Sequence, residues 1–213
     1  MKPRKYEQKR RAEQQAETRQ AIVEAMVALH REVGPARTTI RAIAERAGVE
    51  RLTVYRHFGD ETAMFEACSA HFAGEVGPPD PAAWTGIAEP ADRLRAALRS
   101  FYAYYGRGEQ MLVQVQRDVP RLPALAAVLA PWDAFVTTVR DGLVDGWTAP
   151  GQATARLTAA IGHALCFDTW RSLARAERLP DAEVVELMVA LAGAAAGGIS
   201  GTVSVSGAVV DSA

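Results

Sequence analysis

Residues 39–58 read TIRAIAERAGVERLTVYRHF, and their spacing decides the fold. It predicts two short helices, from about Ile40 to Arg46 and from about Glu50 to Phe58, joined by a turn at Gly48. Thr39 is the expected N-cap of the first helix, since its hydroxyl can accept from a free backbone N–H of the opening turn. Two short helices that cross tightly need a small residue on the first and a turn residue able to take a positive φ. Ala44 and Gly48 supply these four residues apart. Ile40, Ile43, Ala44 and Ala47 face inward, and Val49 and Val54 close the small core. The pattern is that of a helix-turn-helix.

A helical wheel at 100° per residue sorts the surface of the second helix. Val54 and Phe58 point inward, whereas Leu52, Thr53 and Arg56 lie opposite. Arg51 and Tyr55 flank one border and His57 the other. Nine residues make a rod of roughly 13 Å, suited to the ~12 Å major groove of DNA. Arg51 and Arg56 can reach guanine edges or phosphates, and Thr53 can donate to either. Tyr55 and His57 can donate to phosphate, and Leu52 can meet a thymine methyl. Packing on the preceding helix is the competing reading for Leu52, and ordinary packing or capping is the competing one for Tyr55 and His57. With Thr39 and Arg41 at the start of the preceding helix, these six form the candidate DNA-contacting set.

Working outward, Ile22, Met26, Leu29 and Val33 recur at helical spacing and Gly34-Pro35 ends their helix. Residues 1–17 show no apolar face and read as a basic flexible arm. Gly59-Asp60 caps a further helix that extends to about Ala73, so residues 18–73 form one domain. The GPPDP stretch at 77–81 is the strongest linker signal. Beyond it, residues 82–198 stay helical, with helices expected near 90–106, 108–117, 121–146, 151–177 and 181–197. Pro131 is expected to kink or split the third of these. Residues 199–213 read as a flexible tail. The fold class is all-α, with about nine helices.

Charge supports the division. Residues 1–58 carry a net charge of +6 and residues 59–213 a net charge of −7 within a chain whose total is −1. A basic first part joined to an acidic remainder is expected when only the first part meets a polyanion; a solvated arm with no target is the bland alternative. Only 3 of the 24 basic residues are lysine, and arginine suits bidentate phosphate contacts. The longest apolar run, Leu187–Ile199, has 13 residues, short of the ~18 that a membrane span needs. With two cysteines and no secretory signal, a cytoplasmic protein with no membrane partner is expected.

Residues from about 19 to 72 resemble the DNA-binding domain of the tetracycline-repressor (TetR/AcrR) family of transcriptional regulators. The resemblance runs through AIVEAMVALHREVG, TTIRAIAERAGV, LTVYRHF and GDETAMFEA, in order and correctly spaced. Glu50 and Leu52 depart from a Ser-x-Gly pattern common in that family. An acidic Glu50 favours a helix N-terminus but repels a nearby phosphate, and Leu52 alters how closely the helix approaches the bases. The resemblance implies a ligand-responsive repressor that binds an inverted-repeat operator in double-stranded DNA as a homodimer, with a helical effector-binding and dimerisation domain after the helix-turn-helix.

For that second domain the residues must speak alone. Aromatic side chains line apolar pockets and also fill cores. Phe101, Tyr102, Tyr105, Met111, Trp132, Phe135, Phe167 and Trp170 are the candidate ligand-binding residues, with Arg140 and Asp168 as polar groups that could orient a small apolar or aromatic effector. Ala190, Gly193, Ala194 and Gly197 are small enough for close helix approach and are the candidate dimerisation residues. Cys68/His71 and His163/Cys166 have the i,i+3 spacing of metal ligands, but nothing in the sequence brings the pairs together, and no metal or cofactor is expected. No phosphate loop, nucleophile elbow, HExxH or paired-carboxylate motif appears, so no catalytic residue is expected. The alternatives are a helical small-molecule-binding protein or enzyme with a vestigial DNA-binding module, or a non-specific architectural DNA binder, which the sequence pI of about 6.4 disfavours.

Overall fold

The computed structural model describes residues 3–149 and 151–197. Among them there are α-helices and short helical turns and no strand. Four helices come before the linker: α1 (Pro3–Val33), α2 (Ile40–Ala47), α3 (Arg51–His57) and α4 (Glu61–Val76). Five follow: α5 (Pro90–Asp118), α6 (Pro123–Val144), α7 (Gln152–Ala164), α8 (Phe167–Arg171) and α9 (Asp181–Gly197). α1 packs on α2, α4 and α5, and α4 also packs on α6. α9 lies against α5 and α7, with α6 covering the other side of α7. One apolar core runs through both groups, from Ile22 and Met26 by way of Phe72 to Phe101, Leu157 and Ala192.

Helix boundaries depart from the sequence reading at several places. Residues 3–17, expected as a flexible arm, continue α1. The stretch is rich in Glu, Gln, Ala, Lys and Arg, all strong helix formers, and Lys9 pairs with Glu13 one turn on at 3.7 Å. Met1 and Lys2, and the expected tail at 199–213, lie outside the described residues.

The two helices expected at 90–106 and 108–117 are one. Gly106, expected to punctuate them, does not end a helix, and two residues on, Gly108 lets another helix come close. A Cβ there would stand 2.8 Å from the Phe72 ring of α4. Pro131 does not split α6, which runs through it from Pro123 to Val144. Conversely, the helix expected over 151–177 is interrupted at Leu165-Cys166 and resumes as α8 and a π-helical turn at Ser172–Ala176. The buried hydroxyls of Tyr102 and Tyr105 donate to the carbonyl oxygens of Ala164 and Leu165. They thereby satisfy acceptors that a continuing helix would have used.

Candidate nucleic-acid interface and ligand cavity

The helix-turn-helix is built by local rules. Thr39 Oγ1 accepts from the Ala42 N–H at 3.1 Å, and Gly48 takes φ +67°, with its N–H returned to Ala44 and Glu45. Glu50 occupies the N-cap position of α3 without making a side-chain cap, and Phe58 closes its other end, so the helix is seven residues long rather than nine. Val54 and Phe58 are fully buried, together with Ile43 and Ala44. Arg19 of α1 lays its guanidinium 4.8 Å from the centre of the Phe58 ring, tying α1 to the end of α3.

The opposite face of α3 is open. Arg51, Leu52, Tyr55 and Arg56 are exposed, and Thr53 and His57 are half-buried. Leu52 and Tyr55 are more than half exposed, at 54% and 52%. Thr53, Arg56 and His57 edge a groove whose other wall is Gln15, Ala16 and Arg19 of α1. The side chains of Thr39 and Arg41 are engaged within α2. Thr39 caps the helix, and Arg41 pairs with Glu45 at 2.7 Å on the exposed surface. Arg46 is bound by both oxygens of Glu32, which steadies α2 on α1.

A second feature lies at the junction of the two groups of helices. A cavity of about 510 Å³ is walled by His30 and Pro35 at the end of α1, by Phe65, Cys68, Ser69 and Phe72 of α4, by Tyr104, Met111 and Gln116 of α5, and by Leu125, Leu129 and Trp132 of α6. Of the ten side chains that the sequence assigns to an effector, Met111 and Trp132 line it. Phe101, Tyr102, Tyr105, Phe167 and Trp170 are buried in an adjoining aromatic core. Phe135 stacks on Phe101 in that same cluster. Arg140 pairs with its neighbour Asp141 at 2.7 Å, and Asp168 is exposed. Sequence reasoning passed over His30, weighed Cys68 only as a metal ligand, and counted Tyr104 among the aromatics without assigning it to the effector. His30 recurs with the apolar face of α1, Met26 and Leu29 before it and Val33 after, and a histidine at such a position was the available signal.

The cavity is electrically quiet. His30 Nδ1 lies 3.2 Å from Cys68 Sγ, and both residues are buried. Burial holds the His30 imidazole down at about 4, against a weaker opposing pull from Asp118. Burial likewise pushes the Cys68 thiol up to about 12 and the Tyr104 hydroxyl up to about 12. All three are therefore neutral at pH 7. Cys68 sits beside His30 rather than His71, and His163 lies against the Thr169 hydroxyl.

Beside the cavity, α1 is strapped to the end of α5. The Ala36 N–H donates to buried Asp118 at 3.0 Å, Arg117 donates to the Val33 carbonyl at 3.0 Å, and Gln114 donates to the Arg31 carbonyl at 3.3 Å. The Arg117 guanidinium bound to it holds the Asp118 carboxyl below its ordinary range, and the Ala36 N–H adds to this.

Residues 22–68 match the family model of bacterial regulatory proteins of the tetR family. Solved structures with the same fold include a TetR-like transcriptional regulator from Rhodococcus sp. RHA1. It is 20% identical, with 85% of this chain and 96% of that one covered, at a TM-score of 0.60. A TetR-family transcriptional regulator from Syntrophomonas wolfei is 16% identical over 86% of this chain and 97% of its own, also at 0.60. The multidrug binding protein EbrR, solved with imidazole, is 20% identical over 81% and 88%, at 0.53. Comparison with curated proteins gives no match. At these identities the structural likeness establishes the fold, which spans nearly the whole of each neighbour.

Proposed function

We propose that this chain, whose residues 22–68 match the family model of tetR bacterial regulatory proteins and whose described residues take the fold seen in such regulators, is a DNA-binding, ligand-responsive repressor acting as a homodimer on an inverted-repeat operator. The observation that carries the reading is the open face of α3. Two arginines, a tyrosine and an aliphatic side chain stand exposed together on a short helix held by buried Val54 and Phe58. Such a face supplies donors for phosphates and guanine edges and an apolar contact for a thymine methyl. Two copies would place their α3 helices about one DNA turn (~34 Å) or somewhat more apart.

The effector part of the reading rests on the cavity. Its walls come from α1, which packs on α2, from α4, which packs on α1, and from α5 and α6 of the second group. An occupant would thus bind best to one relative placement of the two groups, and DNA affinity would fall by linkage, typically by ~1–3 kcal/mol. For the dimer, α9 leaves Leu187, Ala190, Leu191 and Ala194 exposed along one face, with Gly193 and Gly197 also at the surface. This apolar strip suits one side of an intermolecular four-helix bundle.

Fluorescence-anisotropy titration of the intergenic DNA upstream of its own gene, against scrambled DNA of equal length and across a salt series, tests the reading. A preference of ~10³ or more is expected. Equal, steeply salt-dependent binding to both DNAs would instead indicate a non-specific binder.

A further inference from the structure

We propose that the cavity between α1/α4 and α5/α6 takes an uncharged, largely apolar molecule bearing a hydrogen-bond-accepting oxygen, of the ketone, ester or lactone class, held between His30 and Tyr104. The proposal rests on the effector reading above and names the chemistry that the site selects.

The first ground is the absence of fixed charge. No lysine or arginine lines the cavity among the described residues, and its one carboxylate, Asp133, is exposed. A carboxylate or phosphate buried there would lack a counter-ion. An ammonium would have aromatic faces but no buried anion.

The second ground is a pair of unused donors. His30 and Tyr104 are only 4% and 6% exposed, and both line the cavity. The protonated Cys68 thiol faces His30 Nδ1. With the thiol as donor and Nδ1 as acceptor, the proton of the neutral imidazole resides on Nε2. Among the described residues neither His30 Nε2 nor the Tyr104 hydroxyl has a hydrogen-bond partner. The neighbouring Tyr102 and Tyr105 are different: both donate to backbone carbonyls. Two enclosed donors facing an apolar space favour a ligand that brings an acceptor and no charge.

Isothermal titration of the full-length protein at pH 7.5 with four probes of one ring system tests this: 2-acetonaphthone, 2-ethylnaphthalene, 2-naphthoate and 2-naphthylmethylammonium. The ketone should bind about tenfold or more tighter than each of the others. Tyr104→Phe should weaken the ketone about five- to tenfold and leave ethylnaphthalene unchanged. His30→Leu should behave alike, and if that variant does not fold, Tyr104→Phe alone decides.

Equal or tighter binding of either ion, no preference for ketone over hydrocarbon, or indifference of the ketone to Tyr104→Phe each overturns the proposal. So does failure of all four probes to bind. Operator affinity measured with the ketone present separates the two readings. Ketone binding without loss of DNA affinity leaves the ligand class standing and sinks the effector role, whereas an ion that binds tightly and releases DNA does the reverse.

Discussion

Arg56 concentrates the DNA-binding argument in one side chain. It is exposed on the outer face of α3 and also edges the groove toward α1. Its replacement should leave the buried Val54–Phe58 face untouched. Arg56→Ala is expected to cost about 1–3 kcal/mol of operator affinity with unchanged circular dichroism and sedimentation. Normal operator binding by this variant would mean that another face meets DNA. His30 offers a test of a different kind. Its pKa lies near 4 in the folded protein against an ordinary 6.5, so the unfolded chain takes up its proton first as pH falls. The stabilisation is fully present above about 6.5, and about 3 kcal/mol of it is lost between there and 4. Urea denaturation at pH 7.5 and 4.5 should show the loss, and His30→Gln should flatten that part of the profile. The sequence offers His30 only as one polar member of an apolar stripe; what makes it distinctive is Cys68, 38 residues away.

At the scale of elements, the helix-turn-helix was legible because every rule that builds it is local. The cap at Thr39, the turn at Gly48 and the i,i+4 pair Val54/Phe58 all fall within twenty residues, and the structure makes each in that form. Gly48 isolates one of these rules. A Cβ added there meets nothing within 4 Å, so only the left-handed backbone opposes a side chain. Gly48→Ala is accordingly expected to destabilise by about 1–2 kcal/mol in equilibrium denaturation. Gly108 shows why other boundaries were not legible. In sequence nothing ties it to α4, yet its reason is the Phe72 ring of that helix, whereas Gly106, which reads as punctuation, lies inside α5. The break at Leu165-Cys166 likewise depends on two tyrosines some sixty residues earlier. The cavity follows the same logic. Aromatic content marks both core and pocket, and the choice between them is made by how α1, α4, α5 and α6 converge.

Across the whole molecule, the exposed leucines of α9 are the feature that a lone chain leaves unexplained. Leu187 and Leu191 are 45% and 41% exposed, one turn apart and flanked by alanines. If they are the seam between two copies, Leu187→Glu with Leu191→Glu should yield a monomer in sedimentation velocity. Losing the tethered second half should then weaken operator binding by about a hundredfold or more. A variant that remains dimeric would place the seam elsewhere. The helical class and the division between a basic first part and an acidic remainder were open to sequence reading, since periodicity and charge are properties of the chain itself. The partner of α9 was readable only as a run of small residues, because shape complementarity belongs to the assembled surface.

The length of α1 has a mechanical consequence. This single rod carries His30 at the cavity wall and Ala16 and Arg19 at the groove beside α3, and it continues another four turns beyond. From His30 to Tyr6 is 24 residues, or about 36 Å at 1.5 Å each. A tilt of only about 5° pivoting at the cavity would carry the far end through about 3 Å, several times the roughly 0.5–1 Å that separates a hydrogen bond from none. Under the proposed effector role, the helix that walls the cavity would act as a lever, whose long arm converts a small change of angle into a displacement larger than a hydrogen bond tolerates.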